Sequence, residues 1–226
     1  MARSVIVTGG FGILGQAVAQ AFVATGDKVA RIDFAPSAAQ PIDGALDIGG
    51  VDLTDTAATK AALDKVIAAN GGIDVLVNVA GGFAWETLEG GSLDTFAKMH
   101  AMNLMTNATI TKLALPALKT SSAGRIVNIG AGGALKAGMG MASYAASKSG
   151  VHKLTEALAE ELAGTSVTVN AVLPSIIDTP TNRADMPDAD FSTWVQPAAI
   201  AEVIEFLASD AGRSITGALI PVSRGG

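Results

Sequence analysis

The chain has 226 residues and a net charge of −6, with 49% apolar but only 4% aromatic residues, a size and mixture that suit one α/β domain packed from Ala, Val, Leu and Ile. Zero cysteines exclude disulfides, thiolate metal sites and a cysteine nucleophile, and two isolated histidines, His100 and His152, both expected on helix surfaces, argue against a metal centre. An acidic balance with no basic cluster argues against a nucleic-acid partner; with no apolar run of about 18 residues and no leader-like N-terminus, the protein is expected to be soluble and cytoplasmic, with no membrane partner.

In chain order, Arg3 to Thr8 (RSVIVT) is a β-branched run that breaks into Gly9, Gly10, Gly12 and Gly15 and resumes as a helix ending near Gly26. A glycine turn between a strand and a helix lets the backbone approach a pyrophosphate and offers it free N–H groups at the helix N-terminus. A second strand, Lys28 to Asp33, ends in an acid 18 residues past Gly15, near the spacing at which a carboxylate accepts hydrogen bonds from an adenosine ribose. Such a carboxylate repels a 2′-phosphate, so NAD(H) is expected over NADP(H), although Arg31 nearby could soften the preference.

Phe34 to Gly50 reads as a long loop with a short strand near Ala45 to Ile48, followed by a helix from Asp55 to Asn70 closed by Gly71 and Gly72. Ile73 to Val79 is a nearly all-apolar strand, as a parallel strand covered on both faces should be, and it runs into Ala80-Gly81-Gly82. One long helix, Leu93 to Leu118, carries Asn103 in an apolar setting, where a structural role is the default. Strand Arg125 to Ile129, helix Met141 to Ala163, strand Val167 to Leu173, helix Ala198 to Ala208 and strand Gly217 to Val222 complete the chain. The polar, proline-marked stretch at about 175–197 is a loop whose Phe191 and Trp194 either cover a crevice or pin the loop to the core. About seven strands separated by helices predict a single-domain, Rossmann-type doubly wound parallel sheet with helices on both faces and its ligand site at the carboxyl ends of the strands.

The only tyrosine, Tyr144, precedes Lys148 by four residues. On a helix the two project from one face, one turn apart, and a cation beside a phenol is expected to favour phenolate and tune it as a proton donor.

With these pieces assembled, the chain resembles the short-chain dehydrogenase/reductase family along its whole length. The resemblance rests on T-G-G-F-G-I-L-G at Thr8, Asp33, Asp52-Leu53, N-V-A-G at Asn78, Asn103, Y-A-A-S-K at Tyr144 and P-S-I-I-D-T at Pro174. It implies that Gly9, Gly12 and Gly15, with Ile13 and Leu14 between them, cradle the pyrophosphate, that Asp33 holds the ribose, and that Asp52 and Leu53 flank adenine. It further implies that Asn78, Ala80 and Gly81 line the cofactor, with Pro174, Ile177 and Thr179 at the nicotinamide. Lys148 would bind the nicotinamide ribose and lower the pKa of Tyr144, the catalytic acid, while Asn103 holds a relay water. The family usually places a serine 13 residues before the tyrosine; that position is Ala131. A lost donor to a developing alkoxide could cost on the order of 3 kcal/mol, about a hundredfold in rate.

A subgroup with the same alanine is the quinonoid dihydropteridine reductases. The similarity to it runs through A-G-G-F at Ala80, G-A-L-K-A-G-M-G-M before the tyrosine and the segment from Leu173 to Trp194. It implies NADH-dependent reduction of a flat, electron-poor small-molecule ring, with Phe83, Trp85 and Trp194 as stacking surfaces beside Ala131. The alternatives are a general NAD-dependent alcohol dehydrogenase or ketoreductase and a non-catalytic dinucleotide sensor. The family resemblance also implies a homodimer or homotetramer, packed through the helices Leu93 to Leu118 and Met141 to Ala163.

Overall fold

The computed structural model describes residues 2–224. Its strands are β1 (Ser4–Thr8), β2 (Lys28–Ile32), β3 (Leu46–Ile48), β4 (Val75–Asn78), β5 (Arg125–Ile129), β6 (Thr168–Pro174) and β7 (Leu219–Val222), and they form one sheet in the order β3-β2-β1-β4-β5-β6-β7. Every pairing is parallel. The order reverses between β1 and β4, and there the helices leave to opposite faces and a crevice opens at the carboxyl ends.

Strand parity sorts the core. Val5, Val7, Val75, Val77 and Val127 pack against Val18 and Phe22 of α1 (Ile13–Ala24) and Ile200, Ile204 and Leu207 of α7 (Pro197–Ala208). Ile6, Leu76 and Ile126, one residue out of phase, face Leu63 and Val66 of α2 (Thr56–Asn70) and Ile110, Ala114 and Leu118 on the other side. Central strands buried on both faces explain the nearly unbroken apolar runs in the sequence.

The helix expected over Leu93 to Leu118 is interrupted. It consists of α3 (Leu93–Met99), a π-helical stretch (His100–Met105) and α4 (Thr106–Thr120). The Thr106 N–H donates to the Ala101 carbonyl five residues back, which widens the turn around Asn103. Periodicity alone does not distinguish a single wide turn inside a helix. The long helix before β6 is α5 (Ala142–Glu161), and the 175–197 loop contains a short helix, α6 (Pro180–Asp185), started by the Thr179 side chain and Pro180. Among the described residues, no helix is long and apolar enough to cross a membrane.

Beneath the crevice lies a set of buried amides. Asn78 Nδ2 donates to Asn128 Oδ1 at 2.9 Å and to Thr111 Oγ1 at 3.0 Å; Asn107 Nδ2 donates to Asn128 Oδ1 at 3.0 Å, and Asn128 Nδ2 donates to Thr155 Oγ1 at 2.9 Å. The network locks β4, β5, α4 and α5 in register where apolar packing alone would allow sliding. The Asn78 side chain, expected to line the cofactor, is buried here, and its amide nitrogen holds other side chains. Replacing Asn128 with Ala strands donors on Asn78 and Asn107, and should lower unfolding free energy by about 2–3 kcal/mol. Urea denaturation reads this, and a loss within about 0.5 kcal/mol would mean the network is dispensable.

Candidate active site

Two glycine-rich turns meet at the β1/β4 reversal. Thr8 Oγ1 accepts the Val79 N–H at 3.0 Å and the Ala80 N–H at 3.1 Å, stapling the end of β4 to the start of the first turn. Gly9 has φ 61°, and a side chain there would press to 2.9 Å on the Ala80 backbone. The first turn ends at α1, whose N-cap Gly12 supplies no side-chain cap. The N–H groups at Ile13 and Leu14 therefore stay open to an anion, and Gly15, where a side chain would run into the Gly9 carbonyl, lets the turn pack closely on the helix.

Asp33 stands beside this turn at the end of β2. Its Oδ2 accepts the Phe11 N–H at 2.9 Å and its Oδ1 the Ala35 N–H at 2.9 Å. Both oxygens keep lone pairs for ribose hydroxyls. Arg31 is turned away from solvent altogether: at 0% exposure it forms a two-pronged pair with Asp47 at 2.7 and 2.6 Å and lies 5.2 Å from the Phe11 ring centroid. It is not free to meet a 2′-phosphate. Asp52 is exposed, its Oδ1 held by Thr54, while Leu53 is packed in the core. The Leu53 side chain belongs to the sheet–helix interface, which leaves its backbone as the part able to flank adenine.

At the other edge of the crevice, α5 delivers Tyr144 and Lys148. Lys148 is only 5% exposed, and its Nζ donates to the Ile129 carbonyl at the end of β5 at 2.8 Å. Asn103 Oδ1 accepts the Gly82 N–H at 2.8 Å, and its Nδ2 donates to Ser147 Oγ at 2.9 Å. A side chain at Gly81 would sit 2.5 Å from Asn103 Oδ1 and 3.4 Å from Lys148 Nζ, so the second turn, the π-helical stretch and α5 converge on one point. Asn103 uses its amide to tie the second turn to α5, which is a structural role.

Burial governs the electrostatics. It pushes the Tyr144 phenol up to about 12 and the Lys148 ammonium down to about 8. Withdrawal from water disfavours the charged form of each group, so burial acts on the phenol in the direction opposite to that expected of a neighbouring cation. His152 departs from its expected surface position as well. It is buried, and its Nε2 accepts the Ala131 N–H at 3.2 Å. A partner across 21 residues leaves no trace in local periodicity.

Ala131 is buried at the start of the β5–α5 connection and offers no hydroxyl. Ser143 does not replace it: its buried Oγ lines a small hollow with Glu86, Leu88 and Phe96, away from the crevice. Phe83 meets Tyr144 edge to face, with ring centroids 4.9 Å apart, and Phe83 and Trp85 are each 57% exposed. The Trp85 ring lies over Gly140, where the Glu86 N–H donates to the Gly140 carbonyl at 2.8 Å. Trp194, expected as a stacking surface, is 3% exposed and packs on Phe191 at 4.7 Å; it pins the loop. Ile177 bridges to Val195, and Arg183 pairs with Asp178 at 2.6 Å while covering the Phe191 ring. Thr179 is spent on the α6 cap, and Pro174 is buried in β6 beside β7.

The crevice thus combines open N–H groups for a pyrophosphate, an acid for a ribose, and a buried amine beside a phenol, and these residues fit a nicotinamide dinucleotide. The family model described as short chain dehydrogenase matches residues 3–190. An acetoacetyl-CoA reductase of Acinetobacter sp. is 35% identical over 77% of this chain and 73% of its own length. The 3-oxoacyl-[acyl-carrier-protein] reductase FabG of Salmonella typhimurium is 32% identical over 97% of this chain and 95% of its own. A crystal structure of 3-ketoacyl-(acyl-carrier-protein) reductase from Brucella melitensis complexed with NADH superposes with a TM-score of 0.87 at 26% identity, covering 97% of this chain and 96% of the other. Fold, site and relatives agree: the chain belongs to the short-chain dehydrogenase family and is an NAD(P)-dependent oxidoreductase.

Proposed function

We propose that the chain reduces an electron-poor conjugated heterocycle of the quinonoid dihydropteridine type, with NADH as donor. The observation that carries this reading is the wall at Ala131, which lacks a hydroxyl for a carbonyl oxygen. An acceptor that takes a hydride into a conjugated ring forms no alkoxide and does not need that donor. Phe83, half open beside Tyr144, and Trp85, half open over Gly140, supply flat apolar surfaces for such a ring.

When bound, NADH supplies the hydride. The matching proton passes from the Tyr144 hydroxyl to a ring nitrogen and is replaced from solvent. A phenol raised to about 12 is fully protonated at neutral pH, the state a donor must have. Lys148 holds the nicotinamide ribose, Asp33 the adenosine ribose, and Gly9, Gly12 and Gly15 the pyrophosphate. Helices α4 and α5 carry the homo-oligomer contact we assign, along the groove between Leu115, Pro116, Leu158 and Leu162, and with no cysteine to oxidise we assign a cytoplasmic setting. A second reading, reduction of a 3-oxoacyl thioester, is favoured by the activities named for the relatives.

Assayed with quinonoid dihydropterin generated in situ, NADH should be consumed rapidly, and Tyr144→Phe should abolish turnover. Ala131→Ser should leave pterin reduction within about twofold while raising reduction of a 3-oxoacyl thioester; a rise in both, or thioester turnover alone, would favour the second reading. With Arg31 locked and Asp33 beside the ribose site, kcat/KM should favour NADH over NADPH by roughly tenfold or more, and equal values would refute the cofactor assignment.

Lys148 adds a stability test. Its folded pKa, about 8, lies below the ordinary 10.5, so between those values the unfolded chain binds the extra proton and stability rises with pH; below about pH 8 the buried ammonium exerts its full cost. Lys148→Met should therefore stabilise the fold at pH 7 by roughly 2 kcal/mol while abolishing turnover. The gain should shrink as pH climbs from about 8 towards 10.5. Urea midpoints that shift equally at pH 7 and pH 10 would rule this out.

A further inference from the structure

His152 lies one helical turn beyond Lys148, and the two side chains reach the same segment from one face of α5. Lys148 Nζ donates to the carbonyl of Ile129 at 2.8 Å, and His152 Nε2 accepts the N–H of Ala131 at 3.2 Å. Between them Gly130 is fixed by its own N–H, which donates to the Val172 carbonyl at 2.8 Å. A side chain on Gly130 would stand 2.5 Å from His152 Nε2 and 3.1 Å from Leu173 Cδ1. Gly130, Ala131 and His152 therefore form a matched set, in which the glycine makes room for the imidazole and the imidazole holds the residue that replaces the usual hydroxyl.

We propose that His152 is a positioning residue for the reaction: its neutral imidazole, by accepting the Ala131 N–H, holds the end of β5 on which the Lys148 ammonium rests, and its protonation releases that segment. The acceptor role requires the proton to sit on Nδ1. A second proton on Nε2 would set two donors head to head and would charge a group close to Lys148. Burial, first, and the Lys148 cation both push His152 below the ordinary histidine value, with Lys153 adding to this and Glu156 opposing it. Those charges lie on α5 itself. Of the elements packed against α5, β6 carries no titratable group, β5 carries only Arg125 at its far end, and α3 with the π-helical stretch carries Asp94, Lys98 and His100, none of which acts on the imidazole. The device is independent of which acceptor the enzyme reduces.

The chain has two histidines, so protein labelled with 15N at histidine and alanine gives two ring systems, with the exposed His100 as internal reference. The His152 ring should show an unprotonated Nε2 at neutral pH, and the Ala131 amide should move with it as pH falls. An Ala131 signal unmoved through the His152 titration would overturn the proposal, whatever the acceptor. In parallel, NADH oxidation is followed against pH for wild type, His152→Gln and His152→Leu, using the acceptor that wild type turns over. His152→Leu should lose roughly tenfold in kcat with little change in KM. His152→Gln, whose amide oxygen can accept the same N–H without titrating, should recover most of that loss and lack the acid limb of the wild-type profile. An acid limb that persists in His152→Gln, or a loss in His152→Leu confined to melting temperature, would reduce His152 to packing.

Discussion

A lysine ammonium is held almost out of water at the end of β5 by one carbonyl, that of Ile129, and much of the site exists to make that tolerable. An isolated buried cation is among the costliest things a fold can contain. Gly81 leaves its head room, Asn103 ties the facing turn in place, and the π-helical widening around Asn103 brings its amide to bear on both that turn and α5. The residual cost remains visible as a depressed Lys148 pKa. Such a site costs stability, and a pre-placed, poorly solvated amine interacts with a polar partner more strongly than a hydrated one.

The same withdrawal from water keeps the neighbouring phenol protonated. Phenol and amine are thus each pushed towards the neutral form, and neither can be understood from the other alone. Phe83, edge-on to Tyr144, covers part of the phenol ring. Where members of the family place a hydroxyl, this chain has a methyl group whose backbone is anchored from behind by an imidazole. Under the proposed function, that change moves the emphasis from stabilising an oxyanion to supplying a proton beside an aromatic ring.

Rigidity beneath the crevice comes from polar groups. The sheet core is nearly all Val, Ile, Leu and Ala, and such surfaces specify burial better than register. The Asn78, Asn107, Asn128 and Thr155 network supplies directional bonds among two strands and two helices directly under the ligand site. On the far side of the crevice the Asp178–Arg183 pair and the Phe191–Trp194 stack hold the 175–197 loop. The adenosine side is braced likewise, with Arg31 and Asp47 joined behind the glycine turn.

Local chemistry in the sequence determined the strands, most of the helices, the doubly wound parallel order, the two glycine turns and the pairing of Tyr144 with Lys148, because apolar runs, glycine placement and helical spacing are properties of neighbouring residues. The place of Asp33 beside the first glycine turn is legible for the same reason, by its distance from the glycines. Tertiary structure alone decided which side chains are consumed internally. Asn78, Leu53 and Trp194 match family positions in the sequence, yet each is buried by partners far away in the chain. His152 looked like a surface residue until the end of β5 was brought against α5, and the π-helical turn at Asn103 is invisible to a 3.6-residue period. Even the direction in which Tyr144 is shifted depends on how much water the fold excludes, a quantity set by packing across the whole sheet and not by the residue four positions away.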